Sequence, residues 1–179
     1  MRLAFVRRAL LAFVLLAVAL PAQAAVTITF YSREFGERFP HAFVELGGTM
    51  DQDGTPVSGT WGFTARTLSP AILMGSVHGM VEAVTDGYKA RSNAHFTVTV
   101  TDDQYRNVFA VIEDWRTRPG KSYNLNSANC VHFVGEIGRA AGLTVVNDPK
   151  LMKKPTSYLI DVMRQNPRLE AAGRTTVAR

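Results

Sequence analysis

The side chains with the chemistry for nucleophilic or general-base work are few: one cysteine, Cys130, and four histidines, His41, His78, His95 and His132. Cys130 opens the run Asn129 to Leu143 (NCVHFVGEIGRAAGL), in which apolar residues recur at Cys130, Phe133, Val134, Ile137 and Ala141. That spacing predicts an amphipathic helix facing a core, with Gly142 as its left-handed stop. Cys130 then occupies the first turn, where unpaired backbone N–H groups and the helix dipole favour thiolate over thiol. Such a position can bring a cysteine pKa down to roughly 3.5–7.5. The same N–H groups are suited to a developing oxyanion, and Asn126 and Asn129 are of the residue type that caps a helix start. The competing reading is a buried cysteine used as a small hydrophobe.

The expected compartment bears on that choice. Residues 1–24 carry Arg2, Arg7 and Arg8, an apolar run from Ala9 to Leu20, Pro21, and the small-residue site Ala22-Gln23-Ala24, the pattern of a cleavable secretory signal. The apolar run is short for a membrane span, and no later stretch is long enough for one, so no integral span is expected once the signal is removed. A periplasmic or secreted protein with a single cysteine forms no internal disulfide, and an exposed idle thiol there is a liability, which hints at use.

Removing the three arginines of that segment, which holds no acidic residue, leaves +2 of the chain's formal charge of +5. With no basic face of interleaved aromatics, nucleic-acid binding is not expected. About 155 remaining residues suit one domain, placed at 25–167, followed by a loose tail at 168–179.

The elements that must position the chemistry read as a sheet-rich front and a helical back, an α+β pattern. Val26–Tyr31 alternates as a strand. After Pro40, the segment His41–Leu46 (HAFVEL) predicts a strand with Ala42, Val44 and Leu46 on one face and His41, Phe43 and Glu45 on the other, ended by Gly47-Gly48. A polar turn through Asp51, Asp53, Gly54 and Pro56 leads to a neighbouring strand around Thr60–Thr64. A short helix is expected from Ser69-Pro70 to Met74, then strands at Val81–Thr85 and His95–Val100. Thr101 and Gln104 fit a capping box for a helix over 102–116, with Tyr105, Val108, Phe109, Ile112 and Trp115 on its buried stripe. Thr156 or Ser157 is expected to cap a last helix through Met163.

The segment Tyr123-x-Leu125-x-Ser127-x-Asn129-Cys130-x-His132-Phe133-Val134-x-Glu136 resembles the cysteine motif of the lecithin:retinol acyltransferase family and its HRAS-like phospholipase/acyltransferase relatives. These are a permuted branch of the NlpC-type, papain-like fold, in which a histidine strand precedes the cysteine helix; Pro40-His41-Ala42-Phe43-Val44 stands in that place. The resemblance implies an antiparallel sheet with packed helices, Cys130 as nucleophile, His41 as base, and an acyl-enzyme intermediate. The sequence departs from the family at Val131, where a glutamate is usual, and around Thr60–Thr64, which supplies no imidazole or amide to orient His41. His78 and His95 are the candidate orienters. His132, pointing away from Cys130 on the same helix, suits a structural hydrogen bond. Glu45 lies too far along the strand to reach His41, and Trp61 and Trp115 read as core residues. No compact ligand spacing supports a metal site, so neither metal nor cofactor is expected.

The function expected is an exported cysteine hydrolase acting on an acyl bond, with cell-envelope peptides ahead of acyl-lipid substrates. The alternatives are an acyltransferase, thioesterase or phospholipase of the same fold, a binding module that has lost the chemistry, and a structural envelope protein.

Overall fold

A computed structural model describes residues 25–34 and 39–169. The expected signal, 1–24, and most of the expected tail, 170–179, lie outside the described residues. The architecture is α+β. Five strands form one antiparallel sheet in the order β4-β3-β2-β1-β5: β1 Val26–Arg33, β2 His41–Thr49, β3 Pro56–Ala65, β4 Gly79–Glu82 and β5 Asn93–Val100. The helices are α1 Ala71–Met74, α2 Asp86–Lys89, α3 Asp102–Thr117, α4 Cys130–Ala140 and α5 Pro155–Gln165.

Alternation decides the faces. In β1 every second residue from Val26 is buried, and in β2 Ala42, Val44 and Leu46 join the same core with Phe63 of β3 and Phe133 of α4. The opposite face of β2 carries a second layer, in which the rings of Tyr31 and Phe43 stack at 5.0 Å and Glu45 accepts hydrogen bonds from Tyr31 (2.8 Å) and Lys89 (2.6 Å).

Two of the predicted helices, α3 and α4, form where their caps stand. Thr101 and Gln104 make the reciprocal capping box of α3, and Val108, Ile112 and Trp115 are buried along it; Phe109, placed on that stripe by spacing, is 38% exposed. All five residues of the predicted stripe, four in α4 and Ala141 at its C-cap, are buried, and Gly142 has φ +87°.

Four details correct the sequence reading. Gly47-Gly48 does not end β2, which runs on to Thr49; Gly48, at φ +120°, lies so close to the Ala25 carbonyl that no side chain would fit. The strand expected through Thr85 stops at Glu82, because the N–H and C=O of Val84 turn to the Thr60 hydroxyl (2.8 and 2.9 Å) and Thr85 caps α2. The last helix begins one residue before Thr156, at Pro155, with no side-chain cap; the Thr156 hydroxyl instead meets Ser32 at 2.6 Å. Leu169, assigned by composition to the tail, packs on the core.

Candidate active site

The loop before α4 is built to deliver Cys130 in one position. Tyr123 pairs with Val77 through two backbone hydrogen bonds of 2.9 Å. The Asn124 carboxamide oxygen accepts from the N–H groups of Asn126 and Ser127, closing the turn. Asn129, 2% exposed, then uses its whole side chain: Oδ1 accepts from Val131 (2.8 Å) and His132 (3.3 Å), and Nδ2 donates to the carbonyls of Leu125 and Met152, each at 2.8 Å. The cap thus ties the helix start to the loops on both sides of it. Of the two asparagines offered as caps, Asn129 serves and Asn126 does not.

His132 completes the capping box with Asn129: its Nδ1 lies 3.0 Å from Asn129 Oδ1 and 3.4 Å from Asn129 N. The first contact needs a proton on Nδ1 and the second a lone pair, so the ring makes one at a time. Burial, the largest influence, lowers the His132 pKa. His132 is the structural group that its spacing suggested.

Cys130 is a free cysteine, 6% exposed. Backbone N–H groups of Ala42, Val131 and Cys130 itself favour its thiolate, yet burial outweighs them and pushes the thiol up to about 11. This reverses the expected depression: at the end of a helix packed against a sheet, desolvation of the sulfur exceeds what three N–H groups return. The resting group is a thiol.

The Ala42 N–H places the sulfur at the start of β2, one residue from His41. The His41 ring lies on the other face of the strand, stacked 6.3 Å from Phe43 and edge-on at 6.5 Å to Tyr88. Its Nε2 overlies Gly62 of β3, where an added Cβ would sit 2.5 Å away, so the glycine is what admits the ring. Glu82 is the cross-strand partner of Gly62. A carboxylate therefore stands on the third strand of the same face.

Two cavities flank this point. One, about 320 Å³, is lined by His41, Thr64, Glu82, Thr85 and Arg91 among others. The other, about 160 Å³, is lined by Cys130, Leu125, Asn129, Met152 and Lys153 among others. Phe39, Pro40 and Tyr123 belong to both walls. The chain thus brings Cys130 and His41 to one boundary, with a separate cavity for each. Tyr123, whose pKa is raised by burial and then by the charge of Cys130, stands at that boundary, and its hydroxyl makes no hydrogen bond among the described residues.

The two candidate orienters lie elsewhere. His78 is exposed and lines neither cavity. His95 Nε2 is 2.7 Å from the buried Ser32 hydroxyl, and burial lowers its pKa. Glu45 is held by Tyr31 and Lys89. Trp115 is core, its Nε1 donating to Glu136 at 2.6 Å; Trp61 is half-buried against the core. Among the described residues no three His, Cys, Asp or Glu side chains gather as metal ligands would, and no helix is long and apolar enough to cross a membrane.

Sequence reasoning missed Glu82, Arg91 and Asn124, and it gave Tyr123 no role of its own. The fixed spacing of Tyr123 before Cys130 was the one signal pointing to it; Glu82 and Arg91 reach the cavity only through the β3–β4 pairing and the turn at α2. The chain matches no known protein family, no curated protein and no solved structure.

Proposed function

We propose that this chain is an exported cysteine hydrolase of permuted papain-like, NlpC-type fold that cleaves an acyl bond, with amide bonds of cell-envelope peptides as its first substrate class. The observation that carries this reading is the meeting of the thiol at the α4 N-terminus with the strand start that bears His41, at the boundary of two cavities. The order histidine strand, then cysteine helix, and the motif from Tyr123 to Glu136 support it.

In this reading the pair rests as thiol and imidazole. With substrate bound, His41 takes the thiol proton while Cys130 Sγ attacks the carbonyl carbon. The N–H of Cys130 and the Tyr123 hydroxyl donate to the oxygen as it gains charge. Collapse breaks the C–N bond, and the leaving amine takes the proton from His41. Water then attacks the thioester, giving its proton to His41, and the thiolate recovers it as the acid leaves.

A second substrate class, acyl lipids, is favoured by the apolar rim of the His41 cavity, where Phe39 is 51% and Leu68 44% exposed. The test is turnover of peptidoglycan fragments and of acyl esters by the mature protein beside a Cys130→Ala variant. Amide cleavage lost with the thiol supports the first class, and ester cleavage alone selects the second. Inactivity on both, or activity that survives Cys130→Ala, rejects the hydrolase and leaves a binding module.

A further inference from the structure

The two cavities are unequal in size and in charge, and general acid catalysis says which part of a substrate each takes. A histidine that protonates a leaving group must face it, so the larger cavity, lined by His41, receives the leaving portion. The smaller, lined by Cys130, receives the acyl portion.

Among the described residues Arg91 is the only lysine or arginine on the wall of the larger cavity. It follows α2 and is exposed, and its guanidinium makes no ion pair or hydrogen bond among the described residues. Other arginines of the chain are engaged: Arg106, Arg116 and Arg118 each hold a carboxylate at 2.6 Å. The hydroxyl-bearing Thr64 and Thr85 line the same cavity. A guanidinium on a cavity wall, with hydroxyl donors nearby, suits a planar carboxylate.

We propose that the His41 cavity is a leaving-group subsite selective for a carboxylate, held by Arg91; the substrate class is an amide or ester whose leaving amine or alcohol carries a free carboxyl group, as an amino acid or a peptide C-terminus does. The proposal rests on the reading of Cys130 and His41 as nucleophile and base.

The test compares two acetyl esters with similar leaving groups, meta-acetoxybenzoate and meta-acetoxybenzamide. Thiolysis forms the Cys130 S–acetyl bond and breaks the bond between the acetyl carbon and the phenolic oxygen, and the phenolate takes the proton that His41 removed from the thiol. The wild-type protein is expected to prefer the benzoate by about tenfold in kcat/KM, carried by KM and shrinking with added salt. Arg91→Gln is expected to erase the preference. An equal rate on both esters in the wild type, or a preference that survives Arg91→Gln, overturns the proposal. Binding of the products meta-hydroxybenzoate and meta-hydroxybenzamide to Cys130→Ala, followed by NMR, reads the subsite without the chemistry. If the wild type cleaves neither ester the thiol reading fails, while tighter binding of the hydroxybenzoate, lost in Cys130→Ala/Arg91→Gln, still sustains the subsite and equal binding rejects it.

Discussion

The two faces of β2 do opposite things with the same strand. On the face toward α4, Ala42, Val44 and Leu46 join a dry core in which the Cys130 thiol is desolvated and neutral. On the other face His41, Phe43 and Glu45 belong to a layer of stacked rings and ion pairs that opens into the larger cavity. The difference teaches that neither half of the proposed pair is reactive through its own surroundings. The thiol is well positioned and poorly ionised; the imidazole has a cavity and lies across the strand from the sulfur. Reactivity has to arise where the strand begins and the two faces meet.

The largest effect is expected from disturbing the imidazole alone. Gly62→Ala puts a Cβ against His41 Nε2 and within 3.2 Å of the Phe43 Cβ, so the ring must move. Overpacking of this kind costs about 1–3 kcal/mol of stability. Loss of a positioned base costs about a hundredfold or more in acylation rate. Denaturation midpoints and single-turnover rates on the same preparation separate the two. A variant that is destabilised but keeps its acylation rate would show that the ring's place on this face is irrelevant to the chemistry.

Next in size is the cap. Asn129→Ala removes two acceptor contacts to N–H groups and two donor contacts to carbonyls at once, two of the four wholly buried. A loss of about 2 kcal/mol in urea unfolding is expected. Asn129→Asp keeps the acceptor and removes the donors, and is expected to recover part of that loss. This sharpens the comparison, because it loosens the core face while leaving the layer of His41 untouched.

The last effect concerns pH. The thiol's folded pKa of about 11 lies above its ordinary 9.0, so the folded state keeps a proton that the unfolded chain gives up. The resulting stability is fully present below about pH 9 and is lost as the pH rises toward 11. Cys130→Ala is therefore expected to lose less stability than the wild type between those values, as read from urea midpoints at a series of pH. Half-buried Tyr31 and buried Tyr158, both raised from 10.0 to about 12, contribute a similar slope between those values to both proteins.

The same contrast separates what was legible in the sequence from what was not. Residues acting through neighbours in the chain were readable: the Thr101–Gln104 box, the stripe of α4 and its glycine stop, the alternation of β2, the antiparallel β2–β3 pair. Each is fixed by helical or strand periodicity over a few positions. What depends on partners far along the chain was not. That burial would outweigh the helix start at Cys130 follows from packing of α4 on β2. That Gly62 makes room for His41 and brings Glu82 opposite it follows from the register of β3 with both neighbours. Thr85 looked like a strand end and is a helix cap, because a threonine serves equally in either role until its backbone partners are known.

The most direct single measurement is the acyl-enzyme itself: rapid-quench intact-protein mass spectrometry after mixing the mature protein with p-nitrophenyl acetate at neutral pH, beside Cys130→Ala and His41→Ala. A nucleophile and base meeting at the start of β2 requires a transient acetyl adduct on Cys130, absent from Cys130→Ala and forming about a hundredfold more slowly in His41→Ala. No adduct on Cys130, or an adduct that forms as fast without His41 as with it, would contradict the pair.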